Sequence, residues 1–289
     1  MNTPTDLMGE VLEARKKGIA VGHFNICSID MFHAVADTAK SLSLPVVIGV
    51  SEGERDYVGI NEIVSLVKMR RANGERIYLN ADHTYSISRV KEAIDAGYDS
   101  VIYDAAKEPL EKNIADTKVC VEYARSKNSP VLIEGEVGYI GSSSKILHEV
   151  PDNVAKEEFM TKREDAIRYV EETGVHMLAP AVGNLHGMLA SGHNPELNIK
   201  KVEEIAGAVQ APLVLHGGSG TSDVDFRNAI KAGISLVHVS TELRLAYRTA
   251  LHAYLNEHPE EVAPYRYLQP AKDAVVKVVE NRLKLFAGL

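Results

Sequence analysis

The chain has 289 residues, 45% of them hydrophobic, and a formal net charge of -8. An acidic chain without Trp or a basic aromatic cluster is not built to hold nucleic acid, and no apolar stretch approaches the roughly 20 residues that span a membrane. Its first residues lack the basic and apolar regions of a secretory leader, and Cys27 and Cys120 form no CxxC pair, so neither a disulfide framework nor a structural zinc site is expected and the cytoplasm is the expected compartment.

Short apolar runs alternate with amphipathic stretches along the whole chain. The first run, Ile19–Phe24, ends at Asn25 and precedes a helix over Met31–Leu42. Pro45–Val50 ends at Ser51 and precedes Ile60–Ala72. Ile77–Ala81 ends at Asp82-His83 and precedes Ser86–Ala96. Ser100–Tyr103 ends at Asp104 and precedes Ile114–Arg125. Pro130–Ile133 runs into Glu134 and Glu136, followed by a polar insertion over Gly141–Phe159 and a helix over Arg163–Thr173. His176–Ala179 leads to His186, a second insertion over Met188–Leu197, and Asn198–Ala208. Pro212–Leu215 ends at His216 and precedes Ser222–Ala232. Ser235–Val239 leads to Ser240 and Thr241, and a long helix is expected over Ala271–Phe286 as a packing or oligomer element.

Buried strands of about five residues joined through helices point to parallel pairing. Eight such repeats predict a single-domain (β/α)8 TIM barrel over residues 1–289. A doubly wound open sheet is the rival, and it loses support because no GxGxxG follows the first strand. Both insertions fall on the C-terminal face of the barrel, where active-site loops belong.

On that face the polar strand ends converge. Three imidazoles, His83, His186 and His216, suit a catalytic zinc ion or a similar divalent metal. Any lone histidine is more often a surface or satisfied core residue, and His23, His176 and His252 are read that way. Asp82 either faces substrate or caps the next helix. Glu134 and Glu136 share one strand face; they hold a second cation or set up an acid–base group, or else form a solvated or capping pair. Asp104 is placed to join them. Gly217-Gly218-Ser219-Gly220 after strand 7 and Ser240-Thr241-Glu242 after strand 8 occupy the usual barrel phosphate position, where backbone N–H groups and a helix N-terminus attract an anion. The alternative is a simple turn.

These segments resemble the class II, metal-dependent fructose-bisphosphate and tagatose-bisphosphate aldolases. The likeness covers nearly the whole chain. It is sharpest at Ala81-Asp82-His83, at Ile133-Glu134-Gly135-Glu136-Val137-Gly138 and at Gly183-Asn184-Leu185-His186-Gly187. Leu215 to Gly220, Thr241-Glu242-Leu243-Arg244 and the tail from Arg266 to Ala271 extend it. The resemblance implies Zn²⁺ held by His83, His186 and His216, with Asp104 and Glu134 at an alternative metal position and room for a monovalent cation. It implies Asp82 as the group that exchanges a proton with the C4 hydroxyl. Gly187, Gly217, Ser219, Ser240 and Thr241 would cradle dihydroxyacetone phosphate, and Ser51 would touch substrate beside Asp82. The expected reaction is reversible cleavage of fructose 1,6-bisphosphate to dihydroxyacetone phosphate and glyceraldehyde 3-phosphate, a step of glycolysis, by a homodimer or homotetramer. No lysine stands at a strand end, so no Schiff base is expected.

The chain also departs from the family pattern. Asn80 replaces the usual His, Thr84 a Gly, and Asp104-Ala105-Ala106 the Asp-Gly-Ser after strand 4. Ala190 stands where a Lys is usual. The loop glutamate that transfers a proton falls at Ser144, with His148 and Glu149 nearby. The strand-8 Asn that touches the enediolate falls at His238. Those losses keep two alternatives open. One is a divergent barrel lyase for another ketose phosphate, such as tagatose 1,6-bisphosphate or a sugar without two phosphates. The other is a non-catalytic metabolite-binding barrel. Arg244 and Arg266 would meet a second phosphate or pair with carboxylates.

Overall fold

Inward-facing positions recur every second residue along a strand, and in this chain they change from apolar to polar towards the C-terminal end. The computed structural model describes residues 6–128, 130–141 and 144–289. In it eight parallel strands close into a barrel in chain order. They are β1 (Val21–Asn25), β2 (Val46–Val50), β3 (Ile77–Thr84), β4 (Ser100–Tyr103), β5 (Leu132–Val137), β6 (Met177–Pro180), β7 (Leu213–Leu215) and β8 (Ile234–Val239). The helices are α1 (Leu7–Lys17), α2 (Ile29–Leu42), α3 (Glu52–Val58), α4 (Ile60–Ala72), α5 (Ile87–Ala96), α6 (Leu110–Ser126), α7 (Arg163–Thr173), α8 (Ile199–Ala206), α9 (Asp223–Ala232), α10 (Thr241–Glu257), α11 (Pro264–Tyr267) and α12 (Gln269–Phe286). This is the expected (β/α)8 barrel. Among the described residues no helix is long and apolar enough to cross a membrane.

The barrel floor is Val21, Val47, Tyr78, Leu132, Met177, Val214 and Leu236, packed against Leu7, Val11 and Ala14 of α1. Those three residues follow helical spacing, so α1 plugs the bottom. Its charged outer face hides that stripe in the sequence, and the helix was not expected. Two residues further along the same strands stand His23, Gly49, Asn80, Glu134, His216 and His238, and then Asn25, Ser51, Asp82, Glu136 and Ser240. The dry floor supports a polar mouth. Strand β5 extends past the expected Ile133 because its ladder continues through Ile102↔Glu134 and Glu134↔Met177. Both glutamates are therefore buried strand residues and not a solvated pair.

Helix α12 buries Val275, Val279, Leu283 and Phe286, packs on α2 and α10, and sets Phe286 edge-on to Phe226 at 5.1 Å between ring centroids. Its apolar stripe is thus used within the chain. Of the two insertions, Ile146–Leu147 pairs in parallel with Met188–Leu189, tying the segments together. Ser142 and Ser143 lie outside the described residues.

Gly49 illustrates how tightly the polar layer is packed. A Cβ there would stand 2.1 Å from His23 Cε1. Gly49→Ala is expected to push the imidazole aside and to cost about 1–3 kcal/mol as overpacking, read as a lower urea midpoint. An unchanged midpoint would mean that the layer yields freely.

Candidate active site and metal centre

Adjacent strand residues normally face opposite sides, yet Asp82 and His83 both reach the mouth. The register of β3 against β4 shifts between Ala81 and Thr84, and His83 adopts φ 37°, in the left-handed region. An extra residue at a bulge re-aims side chains in this way, and strain of this kind gathers at functional sites. Asp82 caps no helix, because Ser86 accepts from Arg89 N–H at the start of α5.

His186 and His216 come together through close backbone approach. Gly217 has φ 64°, and a Cβ on it would lie 2.2 Å from the Leu185 carbonyl oxygen, so only glycine fits. Asn184 fastens the two segments: its amide donates to the His216 carbonyl at 2.9 Å and its Oδ1 accepts from Val182 N–H at 2.8 Å.

His83, His186, His216 and Glu136 each offer a ligand atom, all within 4.8 Å of one another. Within this group His186 Nε2 and Glu136 Oε2 are buried without a hydrogen-bond partner, a costly arrangement that a bound cation would relieve. The donor set of imidazoles and a carboxylate fits zinc or a similar divalent metal. Carboxylates orient two of the rings from behind: His83 Nδ1 lies 2.8 Å from Asp104 Oδ2, and His216 Nε2 lies 2.7 Å from Glu134 Oε1. That is the arrangement that fixes metal-binding imidazoles elsewhere. Asp104 and Glu134, expected at an alternative metal position, thus contact the histidines directly. Glu134 also belongs to a second group with His216 and His238.

Electrostatics follow from burial and crowding. Burial alone would lower His83, but Asp82 and the Asp104 hydrogen bond pull it up to about 10. Burial and the neighbouring imidazoles push His186 well below its ordinary range and His216 to about 3. Burial raises Glu136 well above the carboxylate range and Glu134 to about 7. Burial opposes ionisation of Asp82 too, yet His83 and the His238 hydrogen bond hold it well below its ordinary value. Asp82 is therefore a carboxylate at neutral pH.

Around Asp82, Oδ2 accepts from Asn25 Nδ2 at 2.8 Å, and Oδ1 lies 3.2 Å from His238 Nδ1. His238 stacks face to face on His23, with ring centroids 3.4 Å apart and planes within 4°. His23 in turn meets Asn80 Oδ1 at 3.2 Å. The plain reading of His23 misses this contact; its place two residues before Asn25 in the inward row was the available signal. Buried Arg55 donates to the Val50 and Asp82 carbonyls and to Thr84 Oγ1, locking β3 to the end of β2. Thr84 fills that role where a Gly is usual. Of the other plainly read histidines, His176 Nδ1 accepts from Ile133 N–H, and His252 pairs with Asn256.

Two hollows meet at Asp82. The inner one is lined by Gly187, Gly217, Gly218, Ser219, His238, Ser240 and Thr241. Ser240 is the N-cap residue before the 17-residue helix α10 and makes no side-chain cap hydrogen bond, and its buried Oγ has no partner. A helix N-terminus, glycine backbone and free hydroxyl suit a phosphate. The outer hollow, of ≈ 230 Å³, is lined in part by Ser51, Glu52, Tyr85, Asp104 and Arg244. Ser51 also forms a capping box with Glu54. Asn25, Asp82, His83, Ser144 and His186 border both hollows. His148 and Glu149 line neither. Arg244 donates to buried Glu54 and Arg266 to Glu261.

Known proteins resemble this chain over nearly its whole length. A family model described as fructose-bisphosphate aldolase class-II matches residues 6–288. A fructose-bisphosphate aldolase of Staphylococcus aureus is 36% identical over 280 residues, covering 96% of this chain and 94% of that protein. A probable fructose-bisphosphate aldolase of Bacillus subtilis is 33% identical over 290 residues, covering 99% and 98%. The crystal structure of the YdjI aldolase from Escherichia coli K12 superposes with a TM-score of 0.81 at 27% identity, covering 98% of this chain and 97% of that one.

Proposed function

Because the chain belongs to the class-II fructose-bisphosphate aldolase family, and so is an aldehyde-lyase with a phosphorylated sugar as substrate, we propose that it is a zinc-dependent aldolase that reversibly cleaves a ketose phosphate into dihydroxyacetone phosphate and an aldehyde. The observation that carries this reading is the cluster of His83, His186, His216 and Glu136 beside Asp82, whose Oδ1 lies 3.8 Å from His83 Nε2.

A divalent cation held there would supply Lewis-acid stabilisation of the negative charge that develops on the ketose oxygens. The protein's own groups do the rest. The Gly217–Ser219 backbone, Gly187, Ser240 and Thr241 hold the C1 phosphate at the head of α10, and that remote binding fixes the reacting carbons over Asp82. The Asp82 carboxylate accepts the C4 hydroxyl proton as the C3–C4 bond breaks, and returns it to the aldehyde oxygen in the reverse direction. Asn25, with one amide hydrogen on Asp82 and the other on Glu54, holds the carboxylate in place. His238 meets the other carboxylate oxygen through Nδ1 and lines the inner hollow, its Nε2 buried without a hydrogen-bond partner. The cytoplasm and a homodimer or homotetramer belong to the same reading.

Fructose 1,6-bisphosphate and tagatose 1,6-bisphosphate, together with the matching 1-phosphates, form the test set. Release of dihydroxyacetone phosphate from at least one of them is expected, lost with EDTA and restored by zinc. Metal-loaded protein that cleaves none would contradict the proposal.

A further inference from the structure

Arg55 of α3 is the largest of the fully buried side chains among the described residues, at 1% exposure. A buried guanidinium is costly without a carboxylate beside it. Among the described residues, however, its side chain donates only to neutral acceptors. Nη1 donates to the Val50 carbonyl at 3.0 Å and to the Asp82 carbonyl at 3.3 Å, and Nη2 donates to Thr84 Oγ1 at 3.2 Å. Thr84 Oγ1 donates in turn to the Ala81 carbonyl at 3.3 Å. Nε has no partner.

Two of these acceptors bracket one dipeptide. The register of β2 against β3 runs as far as Val50↔Ala81, and that of β3 against β4 passes from Ala81 to Thr84. Neither register includes Asp82 or His83. The carbonyl of the peptide joining these two residues is the one that Arg55 grips, and the next side chain, Thr84, is its other hold. His83 stands inside that span at φ 37°, a conformation that a residue with a Cβ keeps only where its surroundings over-determine it. Glu54, the neighbour of Arg55 in α3, reaches Asp82 by a second route: Asn25 Nδ2 donates both to Glu54 Oε2 and to Asp82 Oδ2. Consecutive residues of one short helix thus hold Asp82, one through its carboxylate and one through its carbonyl.

We infer that Arg55 is a positioning residue for the reaction: its guanidinium fork, with Thr84 as the second post, sets the bulge that presents His83 to the metal and Asp82 to the substrate. The inference rests on the aldolase reading above and adds to it. A planar fork reaches carbonyls and a hydroxyl together in one fixed geometry, which the single ammonium of a lysine does not reproduce. The buried charge is kept for that geometry and not for an ion pair.

The test uses the purified full chain, stripped of metal and reloaded, with Arg55→Lys and Thr84→Val. Zinc affinity is read by competition with a chromophoric chelator, independently of turnover. Arg55→Lys is expected to weaken zinc binding by roughly 10–100-fold, the range for losing a group that orients a ligand. Thr84→Val keeps the side-chain shape and is expected to weaken it by roughly 3–10-fold. With zinc saturating, kcat for cleavage of a ketose phosphate should fall by roughly 10–100-fold in Arg55→Lys. KM should stay within about twofold, because the inner hollow keeps its lining. The double variant should bind zinc no more weakly than Arg55→Lys, since Thr84 acts through the fork.

A role confined to stability would lower the urea midpoint and leave zinc affinity and saturated kcat at wild-type values, and that result overturns the inference. Additive losses of zinc affinity in the double variant overturn it too. If Arg55→Lys does not fold, the zinc affinity of Thr84→Val decides alone, and a wild-type value counts against the inference. Each of these results spares the aldolase reading. Wild-type protein that binds no zinc, or that cleaves no ketose phosphate when loaded, overturns both together.

Discussion

Asp82→Asn is expected to reduce cleavage of a ketose phosphate by about 10³–10⁴-fold, the upper part of the range for loss of a positioned proton-transfer group. The replacement keeps the shape of the side chain. Its amide oxygen can accept from Asn25 Nδ2, which lies 2.8 Å from Asp82 Oδ2, and its amide nitrogen can donate towards His238 Nδ1. What disappears is the carboxylate, the group proposed to take the C4 proton. Metal content is expected to stay near the wild-type level, because Asp82 is not in the group formed by His83, Glu136, His186 and His216. Enolisation of dihydroxyacetone phosphate should also persist, since no C4 hydroxyl takes part in it. A variant that loses metal and enolisation along with cleavage would show that Asp82 acts through the metal centre instead.

The second large effect is expected at His186. His186→Ala removes a ring whose Nε2 is buried and unpartnered, so little hydrogen bonding is lost from the fold. The remaining His83, His216 and Glu136 hold a divalent ion poorly, and dialysed protein should retain little zinc. Losing Lewis-acid stabilisation worth several kcal/mol should cut both cleavage and enolisation by on the order of 10³-fold. The urea midpoint of the metal-free variant should match that of metal-free wild type. A His186→Ala protein with full zinc content and unaltered turnover would place the metal elsewhere in the barrel.

Much of this was legible in the sequence because a barrel turns strand ends into a shared surface. The alternation of apolar runs and amphipathic stretches gave the eight strands their approximate places, and His83, His186 and His216 were recognisable as strand-end or loop histidines. Three things were not legible. The bulge at Asp82-His83 depends on how β3 pairs with β4, which local sequence does not specify. The entry of Glu136 into the histidine group depends on β5 continuing past Ile133, and the apolar run had stopped there. The stack of His23 on His238 depends on β1 and β8 pairing across the closure of the barrel, with those two residues in direct register. Residues 23 and 238 belong to the first and last strands of the barrel. Helix α1 escaped for a different reason: Leu7, Val11 and Ala14 form a stripe too narrow to stand out among its charged residues.

If a cation held by His83, His186 and His216 stabilises the negatively charged three-carbon half of a sugar phosphate, proton NMR of dihydroxyacetone phosphate in deuterium oxide will show it, with zinc-loaded and chelated protein and no aldehyde present. Exchange of one C3 hydrogen is expected with the loaded protein, with its loss on chelation and its return with zinc. Fully loaded protein that leaves the C3 hydrogens untouched, or exchange that continues undiminished after the metal is stripped, would contradict it.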